Sequence, residues 1–314
     1  MHSMAVIFPG QGSQQVGMLS TFASRYPLVQ ATFDRASAVL DFDLWALVQN
    51  GPDALLNKTI HTQPALLAAS YALWQILKQE TDLSPQAFAG HSLGEYTALV
   101  CSNALGFEDA IQLVRLRGEL MQDAVPEGEG GMAALLGLEE ALVEEICAAS
   151  RGFNEVLMPA NFNSLGQIVI AGHLVAVERA ILLAREKGAK LAVKLPVSVP
   201  SHSTLMEPAA SQLSKALNSI VLNKPEIPIL SNFDAKPYSD VDSIREGLVK
   251  QLCSPVQWVK TIQAFSKLGV LSVIECGPGK VLTGLNKRIN KDLELMSTAE
   301  IGQFDAVLKR MHEG

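Results

Sequence analysis

The chain has 314 residues, enough for about two domains and for a core that needs neither disulfides nor metals. It is 48% hydrophobic and 18% charged, a globular balance that excludes a disordered or collagen-like chain. The net charge of −7 argues against a general nucleic-acid binder, and Cys101, Cys147, Cys253 and Cys276 form no CxxC pair of the zinc or thiol-redox kind.

In chain order, residues 4–8 (MAVIF) read as a buried strand that stops at the glycine-rich turn PGQG. That run is too short for a leader, and nowhere do 18 apolar residues follow one another, so a cytoplasmic protein with no membrane span is expected. Residues 63–79 read as a helix with Pro64 in its first turn. A short strand near 86–89 leads into a helix over 95–105, and 107–125 is a further helix closed by Pro126. The acidic, glycine-rich PEGEGG (126–131) marks a boundary. Beyond it come a strand (132–138), a helix (139–150), two strands (155–163 and 166–172), a helix (175–188) and a strand (189–197). This βαββαβ order predicts a ferredoxin-like insert. After Pro200, helical patterns at 203–217 and 257–268 and a strand at 270–277 return the chain to the first domain. The fold class is α/β, with one domain inserted into the other.

Gly90-His91-Ser92-Leu93-Gly94 is a G-x-S-x-G pentapeptide between a strand and a helix. A sharp turn of that kind needs small residues on either side of the serine and exposes its hydroxyl at a helix N-terminus. A serine hydroxyl is a weak nucleophile and needs a base. The six histidines are His2, His61, His91, His173, His202 and His312. His2 and His312 lie at the termini, and His91 adjoins the serine on a turn that points it elsewhere. His202, in VPSHS, lies where the chain leaves the insert, and domain junctions are where pockets form. Position alone leaves the choice open.

Two glycine-rich loops fail as nucleotide motifs. The third glycine of G-x-G-x-x-G would fall at Gln15, and Val281 follows Lys280 where a P-loop has Ser or Thr. The first loop can still offer backbone N–H groups beside a strand end. Arg117 occupies the apolar stripe Ala110, Leu113, Val114, Leu120, Met121 and Ala124. A buried guanidinium needs an anion, either an internal Asp or Glu or a carboxylate carried by the substrate.

Together, FPGQGSQ (8–14), TQPA (62–65), GHSLGEY (90–96), ANFNS (160–164), VPSH (199–202), SPVQW (254–258) and ECGPGKVL (275–282) make the whole chain resemble the malonyl-CoA:acyl carrier protein transacylases of bacterial fatty-acid synthesis. The resemblance implies an α/β-hydrolase-like core over 1–127 and 198–314 and a ferredoxin-like subdomain over 128–197. It implies that Ser92 attacks the malonyl thioester with His202 as base, and that the N–H groups of Gln11 and Leu93 form the oxyanion hole. Arg117 would bind the malonyl carboxylate, the Gln251 carbonyl would orient the histidine, and Gln63 and Asn161 would line the site. Malonyl-CoA and acyl carrier protein are the implied partners, with no cofactor, metal, nucleic acid or membrane. An acidic carrier would need a local basic patch, for which Lys287, Arg288 and Lys291, or Arg185, Lys187 and Lys190, are candidates.

A serine hydrolase shares the elbow, and acidic residues between Ser92 and His202 leave room for a triad acid. A patatin-type Ser–Asp enzyme would need an Asp-Gly dipeptide that this chain lacks. A catalytically dead scaffold is the non-enzymatic alternative.

Overall fold

The computed structural model describes residues 3–313, so His2 lies outside the described residues. Two sheets organise the chain. The first is parallel, with strands β1 (Met4–Phe8), β2 (Ala87–Gly90), β7 (Ile229–Leu230), β8 (Ser272–Glu275) and β9 (Glu294–Ser297) in the order β7-β2-β1-β8-β9. The second is antiparallel, with β3 (Gly130–Leu136), β4 (Leu157–Ser164), β5 (Gln167–His173) and β6 (Leu191–Lys194) in the order β4-β5-β3-β6.

The unbroken apolar run of β1 follows from burial on both faces, as helix-covered parallel sheets require. Val6 and Phe8 join the core under the long helix Thr59–Glu80, while Ala5 and Ile7 join Trp258, Ile262 and Phe265 on the other side. The register pairs Phe8 with Gly90 and Ile7 with Glu275. The carboxyl ends of β1, β2 and β8 therefore lie side by side, where open α/β sheets gather their ligand sites.

The four-stranded sheet buries Ile168, Ile170 and Leu135 against helices Glu140–Ser150 and Leu174–Glu186. Its other face carries Met132, Ala160, Val169 and Ala171. Phe162 N–H donates to Val256 O, and Val256 N–H to Ala160 O, which ties β4 to the first sheet's chain.

Several sequence expectations shift. The helix expected at 63–79 spans Thr59–Glu80, so Pro64 lies inside it rather than in its first turn. The polar start had hidden it, yet Thr59, Thr62 and Gln63 are all buried. The helix expected at 95–105 ends at Cys101, and Asn103 turns the chain with a φ of 60°. The strands expected at 189–197 and 270–277 shorten to Leu191–Lys194 and Ser272–Glu275. Helices without a sequence prediction fill 20–56, and three more span Val241–Cys253, Val281–Ile289 and Ile301–His312. Among the described residues, no helix is long and apolar enough to cross a membrane.

Candidate active site

The strand-to-helix turn after β2 is forced by its glycines. A Cβ on Gly90 would collide with the Gly94 backbone, and one on Gly94 with Phe8 O. Ser92 sits between them at φ 51°, ψ −105°, in a region that costs a non-glycine residue about 1–3 kcal/mol. Asn232 helps to hold it there: its Oδ1 accepts from Ser92 N–H at 2.7 Å and its Nδ2 donates to Gly90 O at 2.6 Å. Leu93 opens the helix Leu93–Cys101, and an N–H in a helix's first turn has no intrahelical acceptor.

His202, itself at φ 61°, brings Nε2 to 2.8 Å from Ser92 Oγ. Its Nδ1 lies 2.7 Å from the carbonyl of Gln251, on the helix Val241–Cys253. A carbonyl only accepts, so Nδ1 carries the proton and Nε2 presents a lone pair to the serine hydroxyl. The position that a triad acid would occupy thus holds a backbone carbonyl. Burial, reinforced by the Arg117 guanidinium, pushes the imidazole down to about 3.

Arg117, from the helix Phe107–Asp123, is 1% exposed. Nη1 donates to Gln63 Oε1 at 2.7 Å, and Nη2 donates to Gln251 Oε1 at 2.9 Å and to Ser92 Oγ at 3.1 Å. Its Nε is buried without a partner among the described residues. No internal carboxylate meets the guanidinium directly: among the described residues no Asp or Glu forms an ion pair with Arg117. A cation held by neutral oxygens beside a serine hydroxyl can take an incoming anion.

Ser92, His202, Arg117 and Gln63 line a cavity of about 700 Å³, within the range of small-molecule sites. Gln11, Leu93 and Asn161 border it too, the last from β4. Met132, Val169, Leu195 and Val197 give it an apolar wall from the small sheet's free face. Of the other histidines, His91 also lines the cavity, against the expectation from its place in the turn, with Nε2 2.8 Å from Asn163 Oδ1. His173 Nδ1 accepts from Val156 N–H, and His312 Nε2 lies against Glu80 O. His61 packs its ring edge-on to Phe42. Among the described residues, no group of three or more His, Cys, Asp or Glu could hold a metal ion.

Sequence reasoning missed Asn232, Asn163 and the buried pair Glu95 and Tyr238. Asn232 follows a two-residue strand and Asn163 sits in an irregular one, so neither shows a periodic signal.

The acyl transferase domain family matches residues 6–307. The malonyl CoA-acyl carrier protein transacylase of Haemophilus influenzae is 53% identical over 309 residues, covering 98% of each chain. The solved malonyl-CoA:acyl carrier protein transacylase of Xanthomonas oryzae superposes with a TM-score of 0.97 at 48% identity, covering 99% of this chain and 98% of its own. A malonyl-transacylase solved in complex with a type II PKS acyl-carrier protein gives a TM-score of 0.96 at 47% identity, over 98% and 99% of the two chains. With a strained serine elbow, a histidine and a waiting arginine on the same scaffold as these relatives, the chain belongs to the malonyl CoA-acyl carrier protein transacylase family.

Proposed function

We propose that this protein moves the malonyl group from malonyl-CoA to the phosphopantetheine thiol of acyl carrier protein through a malonyl ester on Ser92, supplying extender units for fatty-acid biosynthesis in the cytoplasm. One observation carries the choice of malonyl: the Arg117 guanidinium, with neutral partners only, lies 3.1 Å from the Ser92 hydroxyl. A dicarboxylic thioester brings its own anion to that charge, and an acetyl thioester does not.

His202 Nε2 takes the proton as Ser92 Oγ attacks the thioester carbon. The oxygen that becomes negative is received by the Leu93 and Gln11 N–H groups. Collapse expels the CoA thiolate, which takes the proton back from His202. In the second half the carrier's thiol gives its proton to His202, the thiolate attacks the malonyl-serine, and the proton returns to Ser92 Oγ. The Gln251 carbonyl holds the imidazole throughout, a dyad with a carbonyl in third place. Arg117 also links substrate to base. Its charge lowers the imidazole's basicity in the free protein, and a bound malonyl carboxylate offsets that charge.

Gln63 acts through Arg117, whose Nη1 it accepts, while Asn161 lines the acyl site. Residues 1–127 and 198–314 form the catalytic unit, and 128–197 form the subdomain whose free face walls the cavity. Docking of the acidic carrier fits Lys287, Arg288 and Lys291 better than Arg185, Lys187 and Lys190. The helix Val281–Ile289 reaches the cavity through Val281, Leu282 and Leu285. Arg288 and Arg185 each donate to a protein oxygen, Gln167 Oε1 and Ala192 O, so the preference rests on which helix borders the cavity.

The test is the rate of Ser92 acylation by malonyl-CoA and by acetyl-CoA in Arg117→Ala. The malonyl rate is expected to fall by roughly 10³-fold and the malonyl-over-acetyl preference to collapse, because a site built on a buried polar partner penalises whichever partner is unmatched. An intact preference would remove Arg117 from the carboxylate role.

A further inference from the structure

A second polar layer lies beneath the elbow, outside the cavity lining. Glu95, in the first turn of the helix that follows Ser92, is fully buried, and three donors converge on its carboxylate. Tyr238 Oη–H donates to Oε1 at 2.5 Å and Asn232 N–H at 3.1 Å, while Gln251 Nε2 donates to Oε2 at 2.5 Å. An ionised carboxylate only accepts, so it satisfies all three at once.

Gln251 is where this layer meets the site. Its Nε2 also donates to Ser92 O at 2.9 Å, and its Oε1 accepts from Arg117 Nη2 at 2.9 Å. Turning the amide over would set oxygen against Ser92 O and against the Glu95 carboxylate, and N–H against the guanidinium. All three contacts would oppose like to like, so the carboxylate dictates the orientation.

We propose that Glu95 is a positioning residue for malonyl transfer: by accepting from Gln251 Nε2 it keeps the amide oxygen on Arg117, and so holds the guanidinium where the substrate carboxylate must meet it. This rests on the reading of Arg117 as the carboxylate grip. Gln63 holds only Nη1, so an inverted Gln251 amide leaves Nη2 facing a donor. A glutamine at position 95 would cause that inversion, because its amide oxygen is drawn to the Oε1 position, where Tyr238 O–H and Asn232 N–H donate, and its N–H is left facing Gln251 Nε2.

The experiment measures acylation of Ser92 by malonyl-CoA and by acetyl-CoA, by intact mass, in Glu95→Gln, Tyr238→Phe and Arg117→Ala. It is run at pH 8, where Glu95 is ionised, since burial raises its carboxyl only to about 7. Glu95→Gln is expected to lower the malonyl rate about 100-fold and the acetyl rate only a few-fold. Tyr238→Phe, which removes one donor from Oε1 and leaves the Gln251 bond, should keep the malonyl-over-acetyl ratio within about 3-fold of the wild type. Malonyl and acetyl rates that fall in parallel in Glu95→Gln, or a collapsed ratio in Tyr238→Phe, would overturn the proposal. If Glu95→Gln does not fold, Gln251→Met reads the same chain of contacts from its other end, with the backbone carbonyl on His202 kept. Its ratio must then fall by about 10-fold or more, and a retained ratio overturns the proposal. Arg117→Ala separates the two ideas: if its own ratio stays intact, the carboxylate grip fails. If its ratio collapses and that of Glu95→Gln does not, only the role of Glu95 fails.

Discussion

Ser92 is useful because several neighbours make an unfavourable backbone tolerable. Its φ of 51° is sustained by Asn232, which ties Ser92 N–H to Gly90 O across the turn. Asn232→Ala leaves both groups without that partner. We expect a loss of about 2 kcal/mol in denaturant unfolding, because unmet buried polar groups cost about that much. Acylation of Ser92 should slow for malonyl-CoA and acetyl-CoA alike, since the change acts on the nucleophile and not on the acyl group. An unchanged midpoint with an unchanged rate would show that the turn holds without Asn232. Arg117 was legible in the sequence because it interrupts a helical apolar stripe. Glu95 was not, because every residue of Leu93–Cys101 is buried and the helix has no polar face to break. Asn232 depends on contacts 140 residues away, which no local pattern carries.

The elements expected from the sequence are ones that carry their own periodic signal. β1 stands out as an apolar run because both its faces are covered, and the helix Phe107–Asp123 because one face is. The strand and helix order of the small sheet was also readable, since each element carries a compact apolar run and turn residues between. The helix Val241–Cys253 carries such a signal too, although it is absent from the expectations above. Ile244, Leu248, Gln251 and Leu252 recur at helical spacing, and Asp240 with Ser243 forms a capping box at its start. Gln251 breaks that stripe as Arg117 breaks its own, and the two side chains meet. The helices of 20–56 differ among themselves. In the 14-residue helix Pro27–Leu40, Val29, Phe33, Ala36 and Leu40 recur at helical spacing and face the core, a readable signal, whereas Ser20–Arg25, Leu44–Asn50 and Asp53–Leu56 are too short to establish a period.

On the scale of the whole molecule, the site loads the fold with groups that titrate abnormally. The His202 imidazole, pushed down to about 3 by burial and then by Arg117, lies well below its unfolded value of about 6.5. Between those values the unfolded chain binds a proton that the folded chain refuses, so this group costs stability as pH falls. Glu95 works the other way. Burial raises its carboxyl to about 7, so between there and about 4.5 the folded chain holds a proton that the unfolded chain lacks. The two oppose each other from about pH 6.5 to 4.5, and below that His202 acts alone. His202→Gln should therefore gain on the wild type as pH falls from 6.5 to 4, by up to about 1.4 kcal/mol per pH unit, measured by denaturant unfolding. Parallel curves for the two proteins would show that the imidazole is charged in the folded state.

Joining the two sheets is what builds the cavity. The parallel sheet aligns the serine and the Gln11 loop at neighbouring strand ends, and the small sheet adds the apolar side chains Met132 and Val169 to the lining. The most direct test of transfer through Ser92 is intact mass after brief mixing with malonyl-CoA and no carrier protein, with Ser92→Ala alongside. One malonyl adduct is expected on the wild type, none on Ser92→Ala, and loss of the adduct when pantetheinylated carrier protein is added. Free CoA released without a lasting adduct would contradict transfer and make the protein a hydrolase; an adduct that survives in Ser92→Ala would place the nucleophile elsewhere.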